Sequence, residues 1–294
     1  MELKSLRFFL KVAAEKSVSK AAAALYISQP ALTRQIQALE YECGKPLFVR
    51  SKHGVTLTEE GMLLQTRAME LLELADKTIN DIKQSNFELA GRISIGCGEL
   101  ASFRELSKIM ADFKKNNPKV FFDIFTGNAD LIKLKIERGT LDLGLLLEPV
   151  DVEQFESFRV NIKEQYVVLM RRDDKLAEKE KISYEDLKGK SLILPSRRYI
   201  QKSLNQWFQG SLSYAKSITS NLTNNAAMLV EQGLGYSIVI DAAYSFKSND
   251  NVVFRPLDPP VFAGSVIAYK KNVQQSKLLD AFIKDLLCIK DMDN

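Results

Sequence analysis

The apolar positions of this chain change period along its length. Before Gly91 they recur mostly at the 3.6-residue spacing of helices, residues 45–58 apart; from Arg92 onward short β-branched runs alternate with helical stretches. Leu3, Leu6, Leu10 and Ala13 form an apolar stripe that predicts a first helix. Residues 21–25 predict a short Ala-rich second helix capped by Ser19, its alanines allowing a neighbouring helix to approach closely. A Tyr26-Ile27 turn then leads into a third helix over residues 28–40. In it Leu32, Ile36 and Leu39 (i, i+4, i+7) face a core, while Pro30, Thr33, Arg34 and Gln37 share the opposite side. Ser28 suits the N-cap, and Pro30 is tolerated in the first turn, where its missing N–H would have no helical partner.

Two short helices joined by a tight turn, the second polar on its outward face, are helix-turn-helix grammar. The outward face (Ser28, Gln29, Pro30, Thr33, Arg34, Gln37) both donates and accepts hydrogen bonds, as base-edge readout in a major groove requires. A solvated surface helix would be polar there as well. Residues 45–58 predict a two-stranded wing with Gly54 near its tip and Arg50, Lys52 and His53 beside it. Thr58 opens a long helix from Glu59. Its Leu64, Ala68, Leu71, Ala75, Thr78 and Ile82 keep an a/d heptad step, with no Gly or Pro from Met62 to Ala90. That seam predicts a two-helix dimer contact; the alternative is one helix lying on its own domain. Ala90-Gly91 reads as a hinge.

In the second half, residues 92–97, 120–126 and 141–147 read as strands, and residues 100–116 and 130–138 as helices. A second set covers residues 165–171, 191–194, 200–208, 215–220, 222–232 and 236–240. Residues 252–255 and 264–269 follow as strands, and an amphipathic helix with Leu278, Leu279, Phe282 and Leu286 closes the pattern. Such alternation predicts βαβ units and a mostly parallel sheet. Ligands of such sheets bind at the carboxyl ends of strands. That rule selects Gly98, Glu99, Leu100 and Ser102; Thr126, Gly127 and Asn128; Glu148 and Pro149; and Pro195, Ser196, Arg197 and Arg198. Arg197 or Arg198 is placed to clamp a carboxylate, which makes an anionic metabolite the fitting class. The alternative is that both are solvated surface charges, and Glu99 would repel an anion.

On particular residues the chain resembles the LysR-type transcriptional regulators of bacteria. These are Phe8-Phe9; Ala21-Ala22 with Leu25; Ser28-Gln29-Pro30-Ala31-Leu32-Thr33; Ile36; Leu39-Glu40; Leu47-Phe48 with Arg50; and Leu57-Thr58 with Gly61. The resemblance implies an α/β protein with an N-terminal all-α winged helix-turn-helix, a long linker helix and a two-lobed periplasmic-binding-protein-like effector domain. The implied divisions are residues 1–58, 59–89 and 92–294, with lobe I about 92–161 and 266–294 and lobe II about 162–265. The strands linking the lobes would cross near Asn161-Ile162-Lys163 and Ala263-Gly264.

Family base contacts fall on Gln29, Pro30, Thr33 and Arg34, with the wing along the backbone or minor groove. Family effector contacts fall on Leu100, Ser102, Asn128 and the loop at Pro195, Ser196 and Arg197. Implied partners are double-stranded DNA with a pseudo-palindromic operator, a small-molecule effector, and further copies of the chain in a homodimer and a dimer-of-dimers tetramer. RNA polymerase is a further candidate. Three departures stand out. His53 replaces a frequent Arg in the wing, shifting weight to Lys52. Cys43 replaces a usual Leu and is expected as a small core hydrophobe. Leu100 is apolar where Ser or Thr is frequent.

Charge and chemistry sharpen this picture. Residues 1–60 hold nine Lys/Arg against six acids, so +3 of the net +4 lies in the DNA-binding segment. No apolar run approaches a membrane span and no signal peptide is visible, so a cytoplasmic protein is expected. Cys43, Cys97 and Cys288 are scattered, without a CxxC or histidine cluster, so neither a disulfide framework nor a metal or cofactor site is expected. Cys97, at the mouth of the cleft, raises a redox-responsive alternative, but Cys288 has no sequence reason to meet it. His53 is the only histidine, which leaves no catalytic triad and argues against an enzyme. Gly233-Leu234-Gly235 follows a helix and reads as its C-terminal stop. A transport receptor would explain only the second half and would need a signal peptide.

Overall fold

The computed structural model describes residues 1–51, 54–83, 89–210, 216–241, 251–272 and 275–287. The chain forms two compact units, Met1–Lys83 and Gln84–Asn294.

The first unit contains helices α1 (Leu3–Glu15), α2 (Val18–Ala24) and α3 (Gln29–Cys43), strands β1 (Phe48–Ser51) and β2 (Gly54–Leu57), and helix α4 (Glu59–Lys83). Its core joins Phe9 and Val12 of α1, Ala21 and Ala22 of α2, Leu32, Ile36 and Leu39 of α3, and Leu47 and Phe48. Burying a side chain of Leu or Phe size contributes about 1.5–3 kcal/mol, so this cluster dominates the stability of the unit. The buried stripe of α1 differs from expectation: Leu6, Phe9 and Val12 are buried, whereas Leu3 is 45% exposed. The two adjacent phenylalanines offered a competing face, and the Phe9–Phe48 ring contact, with centroids 5.1 Å apart, selected it.

Two further expectations are corrected. The cap of α2 is Ser17, whose hydroxyl accepts from the Lys20 N–H, and Ser19 lies inside the helix. Cys43 ends α3 on the surface rather than in the core.

Thr58 anchors α4 to the wing. Its hydroxyl accepts from the Gly61 N–H at 2.9 Å and donates to the Pro46 carbonyl at 2.8 Å. A Cβ on Gly61 would stand 2.1 Å from the Leu47 carbonyl oxygen, so this close approach admits only glycine.

The second unit opens with β3 (Gly91–Cys97), so Gly91, expected as part of a hinge, is already paired with Val120. Then come α5 (Phe103–Asn116), β4 (Val120–Thr126), α6 (Ala129–Glu137), β5 (Leu143–Leu147) and the long β6 (Phe155–Arg171). There follow β7 (Ile182–Ser183), α7 (Tyr184–Leu187), β8 (Leu192–Pro195), α8 (Arg198–Trp207), β9 (Lys216–Ser220), α9 (Thr223–Glu231) and β10 (Tyr236–Ile240). Strands β11 (Val252–Asp258) and β12 (Phe262–Lys270) and helix α10 (Lys277–Leu286) complete it.

The sheet runs β4-β3-β5-β12-β6-β10-β8-β9, with β11 also beside β6. Strands linked through helices pair in parallel (β3–β4, β3–β5, β8–β9, β8–β10), whereas β6 and β12 pair antiparallel with every neighbour. The first half of β6 had no counterpart in the predicted strands; it alternates buried Phe155, Phe158 and Val160 with exposed positions. Its register with β12 shifts between Glu164↔Ala263 and Val160↔Ser265. Asn161, Ile162 and Lys163 therefore stand opposite Gly264, and the sheet bends there.

The Gly233-Leu234-Gly235 segment turns from α9 into β10. Gly235 has φ +143°, and a Cβ there would meet the Ser191 carbonyl oxygen at 2.3 Å.

Candidate DNA-reading helix and ligand cleft

In the first unit α3 buries Leu32, Ile36 and Leu39 and exposes Ser28, Gln29, Pro30, Arg34 and Gln37, with Thr33 half-buried. The Ser28 hydroxyl accepts from the Ala31 N–H at 3.4 Å. Ser19 adds a contact outside the predicted set: its hydroxyl donates to Gln29 Oε1 at 2.9 Å. With its oxygen engaged, the Gln29 amide presents its NH2 as a donor, which suits a base acceptor such as purine N7. Tyr26, in the turn before α3, has φ +55° and is fully exposed. Lys52 and His53 lie outside the described residues, and the side chain of Arg50 is likewise not described.

Along α4, Ala68 is buried against Leu6 of α1, with Leu64, Leu72 and Leu10 in the same cluster. The first part of the predicted dimer seam thus packs inside its own unit. The helix is pinned there by Arg7, whose guanidinium donates to Asp76 at 2.5 Å. Further along, Leu71 and Thr78 are exposed and Ala75 is half-buried; the side chain of Ile82 is not described. Thr78 returns its hydroxyl to the Leu74 carbonyl. Leu63, Leu71 and Leu74, at i, i+8 and i+11, form a separate exposed apolar face.

The second unit holds a cavity of about 100 Å³, open to solvent, at the carboxyl ends of β3, β5, β8 and β9. Gly98, Glu99, Leu100, Asn128, Pro195, Ser196 and Arg197 line it together. Five of the residues that the strand-end rule selected do not: Ser102, Thr126, Glu148, Pro149 and Arg198. Thr126 is exposed, and its side chain bonds to the Cys97 thiol. Ser102 is buried and donates to Glu164 Oε1 at 2.6 Å while accepting from the Ser265 hydroxyl at 2.9 Å. Glu148 pairs with Arg159 at 2.9 Å.

Arg197 is buried as well. It donates to the carbonyls of Leu147 and Pro149, both at 3.1 Å, and Asp130 Oδ2 lies 3.5 Å from its Nε. The two Nη groups of the guanidinium are therefore engaged from within the chain, while its buried Nε has no hydrogen-bond partner among the described residues; Arg198 is exposed. Sequence reasoning missed Tyr166, Ile200, Ile240 and the loop Ser220-Asn221-Leu222. The loop follows a predicted strand, so the strand-end rule would have found it. The same rule would have found Ile240, which ends β10, whereas Tyr166 carries no local signal, because only the sheet order turns it toward the cavity. Burial raises the Tyr166 hydroxyl pKa above its ordinary value and keeps it a neutral donor. Cys97 is buried, and burial pushes its thiol up to about 11, against thiolate chemistry at neutral pH.

A winged helix-turn-helix followed by a ligand-cleft domain defines a DNA-binding protein that carries its own small-molecule sensor. Residues 3–62 match the family described as bacterial regulatory helix-turn-helix protein, lysR family, and residues 88–287 match the LysR substrate binding domain. The chain belongs to the LysR family of DNA-binding transcriptional regulators. It is 30% identical over 294 residues to the Hca operon transcriptional activator HcaR of Escherichia coli, covering 95% of each chain. The HTH-type transcriptional regulator IlvY of Escherichia coli is 26% identical over 295 residues, covering 97% of this chain and 99% of that one. Among solved structures, the LysR family regulator CbnR matches with a TM-score of 0.77 at 20% identity over 99% of both chains. CbnR complexed with its target DNA gives 0.76 at 19% identity, over 98% of this chain and all of that one. These two structures show the shared fold. Among the described residues no helix is long and apolar enough to cross a membrane.

Proposed function

We propose that this regulator reads a pseudo-palindromic operator as a homodimer, with Gln29, Pro30, Thr33, Arg34 and Gln37 of α3 in successive major grooves. The observation that carries the reading is α3 itself: a capped helix with one side locked into a core and the other exposed, polar and basic at Arg34. Two such helices about 34–36 Å apart reach adjacent turns of one DNA face. The exposed apolar face of α4 at Leu63, Leu71 and Leu74 supports pairing with a second copy, and family resemblance supports a dimer of dimers. A cytoplasmic setting, contact with RNA polymerase and the absence of catalysis fit the same reading. A small molecule in the cleft of the second unit acts by its different affinity for two states of the protein. The buried, protonated thiol of Cys97 disfavours the redox alternative.

The test is binding of the purified protein to the DNA upstream of its own gene, at two salt concentrations, beside Arg34→Ala. The native protein binds specifically and weakens steeply with salt. Losing one bidentate base contact costs Arg34→Ala about 1–3 kcal/mol of discrimination between operator and random DNA. An unchanged preference in the variant means that α3 does not read the bases.

A further inference from the structure

Most of the charged atoms of the cleft are answered from within the chain, the buried Nε of Arg197 being the exception among the described residues. Glu99, in the loop after β3, accepts from the Thr223 main-chain N–H at 2.6 Å and from the Asn224 amide at 3.3 Å. Its carboxylate thus sits on the N-terminus of α9, where a bound anion would gain most. The N-terminus of α5 is filled by Glu164, which accepts from the N–H groups of Ala101 and Ser102 at 2.7 and 3.0 Å. Asn128 caps α6 through the Leu131 N–H at 2.9 Å. Among the described lining residues the one buried cation is Arg197: its two Nη groups hold carbonyls, and Asp130 Oδ2 lies 3.5 Å from Nε, which itself makes no hydrogen bond there. Glu99 and Arg197 stand on the same wall with separate partners, and the rest of it is largely apolar, chiefly Leu100, Leu145, Leu146, Ile200 and Ile240.

On the reading that this cleft holds the effector, we infer that the effector is an uncharged molecule with a mainly apolar body. A carboxylate or phosphate entering the cavity would lose hydration and share it with the Glu99 carboxylate, while Arg197 has only its Nε N–H unspent. An uncharged ligand fills the apolar wall without that cost. Helix α8 begins without a side-chain cap, and its first amides suit a hydroxyl or carbonyl oxygen. Glu99 excludes anions and, with Arg197, links elements on opposite sides of β6 and β12 before any ligand arrives.

The test uses three probes of nearly one shape on the full chain: cyclohexylmethanol, cyclohexylmethylamine and cyclohexanecarboxylate. Binding is followed by calorimetry and by thermal shift, in the native protein, in Glu99→Gln and in two rim variants at exposed positions, Ser196→Trp and Asn221→Trp. Native protein should bind the alcohol roughly tenfold more tightly than the carboxylate, and Glu99→Gln should narrow that gap. Both rim variants should weaken the alcohol. If the carboxylate binds as well as the alcohol, and both are lost in the rim variants, the charge inference falls while the cleft stands as the ligand site. If binding ignores both rim variants, the cleft is not the site and the parent reading fails. Absence of binding by every probe at millimolar concentration overturns the inference as well.

Discussion

Glu164→Gln should destabilise the second unit by about 2–4 kcal/mol, although it changes one atom of a side chain with no solvent exposure. The native carboxylate accepts three hydrogen bonds: the Ala101 N–H at Oε2, and the Ser102 N–H and hydroxyl at Oε1. Glutamine retains one oxygen and turns the other into an NH2 donor, so one buried main-chain N–H faces another donor. An orphaned buried donor costs about 1–3 kcal/mol, and the bonds that survive lose the extra strength of a charged acceptor. For a unit of this size each kcal/mol moves the melting temperature by about 2–4 °C, so a fall of about 5–15 °C is expected. Ser102→Ala removes one of the three bonds and should cost about 1 kcal/mol. Differential scanning calorimetry of the full chain, with the transition of the second unit assigned by limited proteolysis, reads both variants. If Glu164→Gln melts within about 2 °C of the native protein, the carboxylate does not hold the turn at Ala101 and Ser102.

The first unit offers a second test in Gly61→Ala, which places a methyl 2.1 Å from the Leu47 carbonyl. Main chain cannot yield there, because that oxygen also accepts the Thr58 N–H at 3.0 Å. The expected loss is about 1–3 kcal/mol or more, read by urea unfolding, and native-like stability would show that α4 does not press on the wing. Cys97 supplies a third. With its thiol pushed up to about 11, its iodoacetamide reaction in the folded protein should be slow at neutral pH and accelerate as pH rises toward that value. Exposed Cys43 should react first, as peptide mapping would show. Modification of Cys97 in step with Cys43 would reopen a redox role.

The order of elements was legible because each is written in local terms. Period, cap and breaker all act within a few residues, so Leu32, Ile36 and Leu39 were assigned inward, Ser28 and Thr58 to helix starts, and Gly233 to a stop. The cavity was legible in outline for the same reason, since the carboxyl ends of strands converge wherever the strands are parallel. Individual contacts within it were not. Ser102, Thr126 and Glu148 sit at the right places in the chain, but each is engaged by a neighbour instead.

Helix α4 shows most clearly where sequence stops. Leu64 and Ala68 satisfied a heptad spacing, yet they pack on α1, while Leu63, Leu71 and Leu74 offer another apolar face. Periodicity reports that a face is apolar, not which surface covers it. The sequence by itself determined most helices and strands and the helix starts at Ser28 and Thr58, and through its motifs the family, though it misplaced the cap of α2 and missed the first half of β6. The tertiary structure alone decided which charges remain available: Arg197 meets Leu147 fifty residues away, and Glu99 meets Thr223 at a separation of 124 residues. Such pairings depend on sheet order and register, which no local pattern encodes, and they set the chemistry that the cleft can accept.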